Sequence, residues 1–121
     1  MAPGLEPWLL ALSLAMGPAG VWAQLRLVEA GGGLRVPGDT VTLLCRGHGF
    51  AFGGHGVRWY RQTDSDRLQW LSYINLSGTI KKYAAAVEGR TMVSRDNSQS
   101  ESSMSLWALH HRDSAHYFCT V

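Results

Sequence analysis

The sequence is poor in most of the features that announce an enzyme or a nucleic-acid binder. Only 17% of its 121 residues are charged and the formal net charge is +2. The positive residues are scattered, which excludes the basic stripe of a nucleic-acid-binding domain. After residue 24 no apolar run is long enough to cross a membrane. No helical period of useful length appears there either; "YAAAV" (83–87) offers one turn at most. Metal sites need convergent ligands, but the neighbours His110 and His111 point apart in a turn and His116 follows on a strand. Ser114, His116 and Asp113 crowd one strand start, whereas a hydrolytic triad draws on separate elements. "GGGL" (31–34) has no helix behind it to aim an N-terminus at a phosphate. Nothing here supports an enzyme, a metal or a cofactor.

What the chain does have begins with an apolar run, "WLLALSLAM" (8–16), followed by "GPAGVWA". A run of this length before a V-x-A site reads as a secretory signal peptide over residues 1–23, cut after Ala23. The first seven residues carry Glu6 and no Lys or Arg, which is unusual for such a signal. The competing reading is a buried core helix, which Gly17, Pro18 and Gly20 would end at once. Removing the segment leaves eleven Lys and Arg against eight carboxylates, a net charge of +3. Two cysteines remain, Cys45 and Cys119, 74 residues apart. In a secreted chain a disulfide is the default, against two free buried thiols.

Turn signals recur at short intervals: "GGG" (31–33), "PGD" (37–39), "GHGFAFGGHG" (47–56), "SG" (77–78) and "DNS" (96–98). Between them lie short alternating runs. "TVTLLC" sets Val41, Leu43 and Cys45 on one face; "VRWYRQ" sets Val57 and Trp59 opposite Arg58, Tyr60 and Gln62. "LQWLSYI", "SSMSLWAL" and "AHYFCTV" alternate likewise. Many short strands with turns between them predict an all-β sandwich of two antiparallel sheets. Trp59 stands fourteen residues after Cys45, Tyr117 two before Cys119, and Asp113 six before it. In such a sandwich the bridge pins the two sheets, the indole packs on it, and Tyr117 forms a tyrosine corner.

These residues carry a resemblance. From Gln24 to Val121 the chain resembles an immunoglobulin heavy-chain variable segment. "QLRLVEAGGGLRVPGDTVTLLC" resembles the first framework, "WYRQ" (59–62) and "LQW" (68–70) the second, "GRTMVSRDNS" (89–98) and "DSAHYFC" (113–119) the third. The framework wording is similar to avian heavy chains. The resemblance implies a V-type domain over residues 24–121 that ends after the second cysteine, without the third hypervariable loop or the final strand. Such an ending matches an unrearranged V-segment translation and would leave a sheet edge unpaired.

The resemblance further implies antigen binding. The first hypervariable loop matches Gly49, Phe50, Ala51, Phe52, Gly53, Gly54, His55 and Gly56, with both phenylalanines as anchors and His55 at the tip. The second matches Ile74, Asn75, Leu76, Ser77, Gly78, Thr79, Ile80 and Lys81, with Arg58 and Tyr73 at the base of the paratope. Tyr60, Gln62, Leu68, Trp70 and Phe118 match positions that face a light-chain variable domain; the plain alternative is scattered surface hydrophobes. Arg90 and Asp113 match a buried ion pair rather than two solvated charges. "NLS" (75–77) makes Asn75 a glycosylation sequon, a pattern that also arises by chance. Departures from the family pattern are Arg67, Thr91, Ser102, Trp107, His116 and the turn "TDSD" (63–66). The implied function is antigen recognition in adaptive immunity, secreted or at the cell surface. Membrane attachment would come only through a constant region or receptor outside this sequence. The alternatives are a V-type receptor with a fixed protein partner and an unexpressed donor segment.

Overall fold

The computed structural model describes residues 26–121. The expected signal peptide, residues 1–23, lies outside the described residues. Eight strands follow one another: β1 (Arg26–Gly31), β2 (Val41–His48), β3 (Val57–Gln62), β4 (Leu68–Ile74), β5 (Lys81–Tyr83), β6 (Thr91–Asp96), β7 (Glu101–Leu106) and β8 (His116–Thr120). They form two four-stranded antiparallel sheets, ordered β1-β2-β7-β6 and β5-β4-β3-β8. The expected two-sheet sandwich is what the chain forms. Among the described residues β8 is an edge strand.

Strict alternation builds the core. Val41, Leu43 and Cys45 on β2, Val57 and Trp59 on β3, Val93 on β6, and Met104 and Leu106 on β7 all point inward and are buried. Cys45 and Cys119 are joined across the sandwich with their Cα atoms 6.3 Å apart. Trp59 lies directly opposite Cys119 in the β3–β8 ladder, so the indole and the bridge share one inward face. The indole is fully buried, and its Nε1 has no hydrogen-bond partner among the described residues.

β4 does not alternate as its sequence predicts. The register slips between Trp59 and Tyr60: Trp59 pairs with Ser72, but Tyr60 pairs with Trp70. Leu71 is the extra residue of a β-bulge, and Leu71 and Ser72 are buried in succession. The bulge thereby leaves Trp70 on the outward face beside Tyr60.

Two of the departures from the family pattern, Thr91 and Ser102, are buried at core positions, and each is satisfied locally. The Thr91 hydroxyl donates to the Ser105 carbonyl at 2.8 Å, and the Ser102 hydroxyl to the Ser94 carbonyl at 2.7 Å. Both bonds run to carbonyls of the neighbouring strand, which removes the cost of burying an unpaired hydroxyl. The "TDSD" turn closes without Pro-Gly. Asp66 takes a left-handed conformation, φ 64°, and its N–H donates to the Thr63 carbonyl. Aspartate is among the few side chains that tolerate this region.

Candidate functional site

The loops joining β2 to β3 and β4 to β5 lie at one end of the sandwich. The first is held from below. Phe52 opens a short 3-10 turn, Phe52–Gly54, and is 1% exposed. Phe50 packs against it at 6.2 Å between ring centroids, and His55 meets the Phe50 ring edge-on at 5.3 Å. Gly47 makes room for both rings, since a Cβ there would lie 2.6 Å from Phe52 and 2.9 Å from Phe50. Ala51, Gly53, Gly54 and His55 remain exposed above these anchors.

The second loop is a tight turn closed by its own first residue. The Gly78 N–H donates to the Asn75 carbonyl, and the Asn75 N–H to the Ile80 carbonyl. The Asn75 side chain accepts from the Ile80 N–H at 3.0 Å and donates to Thr79 Oγ1 at 3.1 Å. Leu76, Ser77, Thr79, Ile80 and Lys81 are exposed. Ile74 is not: at 1% exposure it belongs to the core. Ile74 is thereby corrected from a contact residue to a core residue, while Phe52 is the buried anchor that the resemblance implies; neither offers surface to a ligand.

One residue that the sequence reading passed over ties the two loops together. Arg95, at the end of β6, donates to the Asn75 carbonyl at 2.7 Å and to the Phe52 carbonyl at 2.9 Å. Its guanidinium stands 4.8 Å over the Phe52 ring. Asn97 positions the group by accepting from Arg95 Nε, and its amide donates to the Leu76 carbonyl. Burial lowers the Arg95 pKa, and no carboxylate pairs with it among the described residues. "SRDN" gave the family resemblance but no clue to this role, which depends on where two distant carbonyls converge.

At the opposite end a compact polar cluster closes the sandwich. Asp113 is 5% exposed and lies between two guanidiniums. Arg90 grips it through both nitrogens, at 2.9 and 3.1 Å, and Arg61 reaches Oδ1 at 2.9 Å. Tyr117 donates to the Asp113 carbonyl at 2.6 Å, which completes the tyrosine corner, and accepts from Arg61 at 3.0 Å. Burial by itself pushes the Asp113 carboxyl up. The bonds from Arg90, the His110 backbone N–H and Arg61 outweigh burial and hold it down at about 2. The Arg90–Asp113 pair is thus buried, as the resemblance implies. Arg61 is the missed third member. Its place on the Val57–Trp59 side of "VRWYRQ" was the available signal, since alternation turns that position inward.

The outward face of β5-β4-β3-β8 is aromatic. Tyr60 pairs with Trp70 on one side and Phe118 on the other. The Tyr60 and Phe118 rings stack at 5.6 Å, and His116 stacks on Phe118 at 5.8 Å. Gln62 lies between Leu68 and His116, and Leu68 is 58% exposed. The structure thus brings Tyr60, Gln62, Leu68, Trp70 and Phe118 together on one face.

The family model of the immunoglobulin V-set domain matches residues 34–121. The chain belongs to that family. V-set domains are typically recognition modules without enzymatic activity, found outside the cell or at its surface. They commonly pair with other immunoglobulin domains or bind protein ligands. No helix among the described residues of this V-set domain is long and apolar enough to cross a membrane. Nor do those residues hold a group of three or more His, Cys, Asp or Glu that could bind a metal.

Proposed function

We propose that this V-set domain is an immunoglobulin heavy-chain variable region that recognises antigen through its two loops while paired with a light-chain variable domain. The observation that carries the pairing is the cross-strand row Trp70, Tyr60 and Phe118, in which the Tyr60 and Phe118 rings stack, with Leu68 exposed beside it. Large apolar groups gathered on one outward sheet face mark an interaction surface, unlike hydrophobes scattered singly. The loops suit recognition because their backbones are locked from below by Phe52, Ile74 and Arg95 while their tips stay exposed.

The deciding experiment is deep sequencing of heavy-chain transcripts from the source animal's B cells. The framework through "HYFC" should continue into diverse third loops and a joining strand. Short patches of it inside other V regions would make it a donor segment. A single invariant continuation into a stalk or membrane span would make it a receptor with one fixed partner.

Asn75 sits at the head of an exposed turn, and we assign it as the glycan acceptor. Its amide has two N–H groups and spends one on Thr79. Attachment to the other leaves the turn closed. Treatment of the secreted chain with a peptide N-glycosidase should lower its mass, and an unchanged mass rules the assignment out.

A further inference from the structure

Cross-strand partners in a sheet project to the same face. At the loop end of β5-β4-β3-β8, Lys82 pairs with Tyr73 and Tyr73 with Arg58, which makes a row across three strands. With strands about 4.8 Å apart, the two cations flank the tyrosine at a backbone separation of roughly 10 Å. The Arg58 guanidinium stands 4.9 Å over the Tyr73 ring. Gly56 is what lets that ring lie where it does: a Cβ there would come within 2.7 Å of the Tyr73 ring and hydroxyl. Arg58 and Lys82 are exposed, and neither makes a side-chain hydrogen bond or ion pair among the described residues. A stacked guanidinium keeps its N–H fork free and pre-oriented, the geometry that suits carboxylate and phosphate oxygens.

The distribution of charge points the same way. Residues 47–63, 67–87 and 114–121 contain no Asp or Glu, so strands β3, β4, β5 and β8 and both loops lack a carboxylate. Two carboxylates at the β6–β7 turn of the other sheet are committed elsewhere. Asp96 caps its own 3-10 turn through Ser98, and Glu101 pairs with Arg46 at 2.7 Å. Arg95, wedged under both loops and bonded to carbonyls, adds an un-neutralised positive charge.

We propose that the row Lys82, Tyr73 and Arg58 is a binding site for an anionic oxygen group, a carboxylate or a phosphate, displayed by the ligand. The site rests on the reading of the loop end as the ligand face and names the chemistry it selects. Arg58 holds the anion through its fork, Lys82 adds a point charge from the flank, and Tyr73 fixes the guanidinium.

The test is a titration of the purified full chain with acetylated hexaglutamate, with inorganic pyrophosphate in a second arm and acetylated hexaglutamine as the neutral control. At low salt the acidic probes should bind at least about tenfold more tightly than the neutral peptide. Binding should weaken as salt rises. Arg58→Gln should remove most of the preference, Lys82→Glu should reverse part of it, and Arg58→Lys should not restore it. The arm that binds more tightly tells carboxylate from phosphate. Equal binding of acidic and neutral peptides, or a preference that survives Arg58→Gln, overturns the site. Such a failure leaves antigen recognition standing, because transcript sequencing tests that independently. An Arg58-dependent preference in turn holds even if no transcript carries the segment.

Discussion

A carboxylate that is almost fully buried between two guanidiniums is costly to disturb from either side. Asp113→Asn keeps the shape but leaves Arg61 and Arg90 facing a neutral amide. Breaking a buried ion pair in this way costs about 3–5 kcal/mol, to be read as a loss of urea stability. The same contacts fix the pH dependence. The Asp113 pKa is lower in the fold, about 2, than its ordinary 3.8. The unfolded chain therefore binds the proton more readily, and acid favours unfolding. The contribution is present in full above about pH 5 and is lost as pH falls towards 2; it amounts to about 2 kcal/mol. In Asp113→Asn the loss of stability over that acid range should flatten, and an unchanged profile would assign the acid sensitivity to other groups.

Single side chains also decide how elements hold one another. Both loops hang on the Arg95 guanidinium, which reaches a carbonyl in each. Charged hydrogen bonds of this sort contribute about 1.5–3 kcal/mol each. Arg95→Ala should therefore speed hydrogen exchange of the amides in both loops at once, while amides of β2 and β3 stay protected. Arg95→Lys should not rescue, because one ammonium lacks the fork that spans two carbonyls. On the aromatic face, Trp70→Ser should weaken pairing with a light-chain variable domain by at least about 2 kcal/mol, some thirtyfold in Kd. The melting temperature of the isolated domain should barely change, which separates a pairing role from a structural one.

The same scale shows what was legible in the sequence. Strands β2 and β3 alternate cleanly, so period two revealed their inward faces directly. β4 was legible as a strand but not in its facing, because nothing in "LQWLSYI" marks Leu71 as the extra residue of a bulge. The loops were placed by resemblance and the corner by spacing. Arg61 and Arg95 escaped for different reasons. Arg61 stands on the inward side of β3 by alternation, but a buried arginine makes sense only once the partners that satisfy it, 52 and 56 residues away, are brought alongside. Arg95 has backbone carbonyls for partners, which no sequence pattern displays.

At the scale of the molecule, two sheets with β8 at an edge are pinned by one covalent tie. The loop that Cys45 and Cys119 close is 74 residues long. On the chain-entropy model, closing it destabilises the unfolded state by about 4 kcal/mol. Few buried groups could replace that tie, since Thr91 and Ser102 occupy core positions where larger apolar side chains would add roughly 2 kcal/mol each. Against a typical domain stability of ~5–15 kcal/mol, the bridge is then a large share of the whole. The double variant Cys45→Ala/Cys119→Ala should lose about that amount or more in urea, because two small cavities open beside Trp59 as the constraint disappears. If the variant instead melts within about 1 kcal/mol of the parent, the stability resides in the packing of Trp59, Leu71 and Met104, and the bridge serves only to hold a sandwich that forms without it.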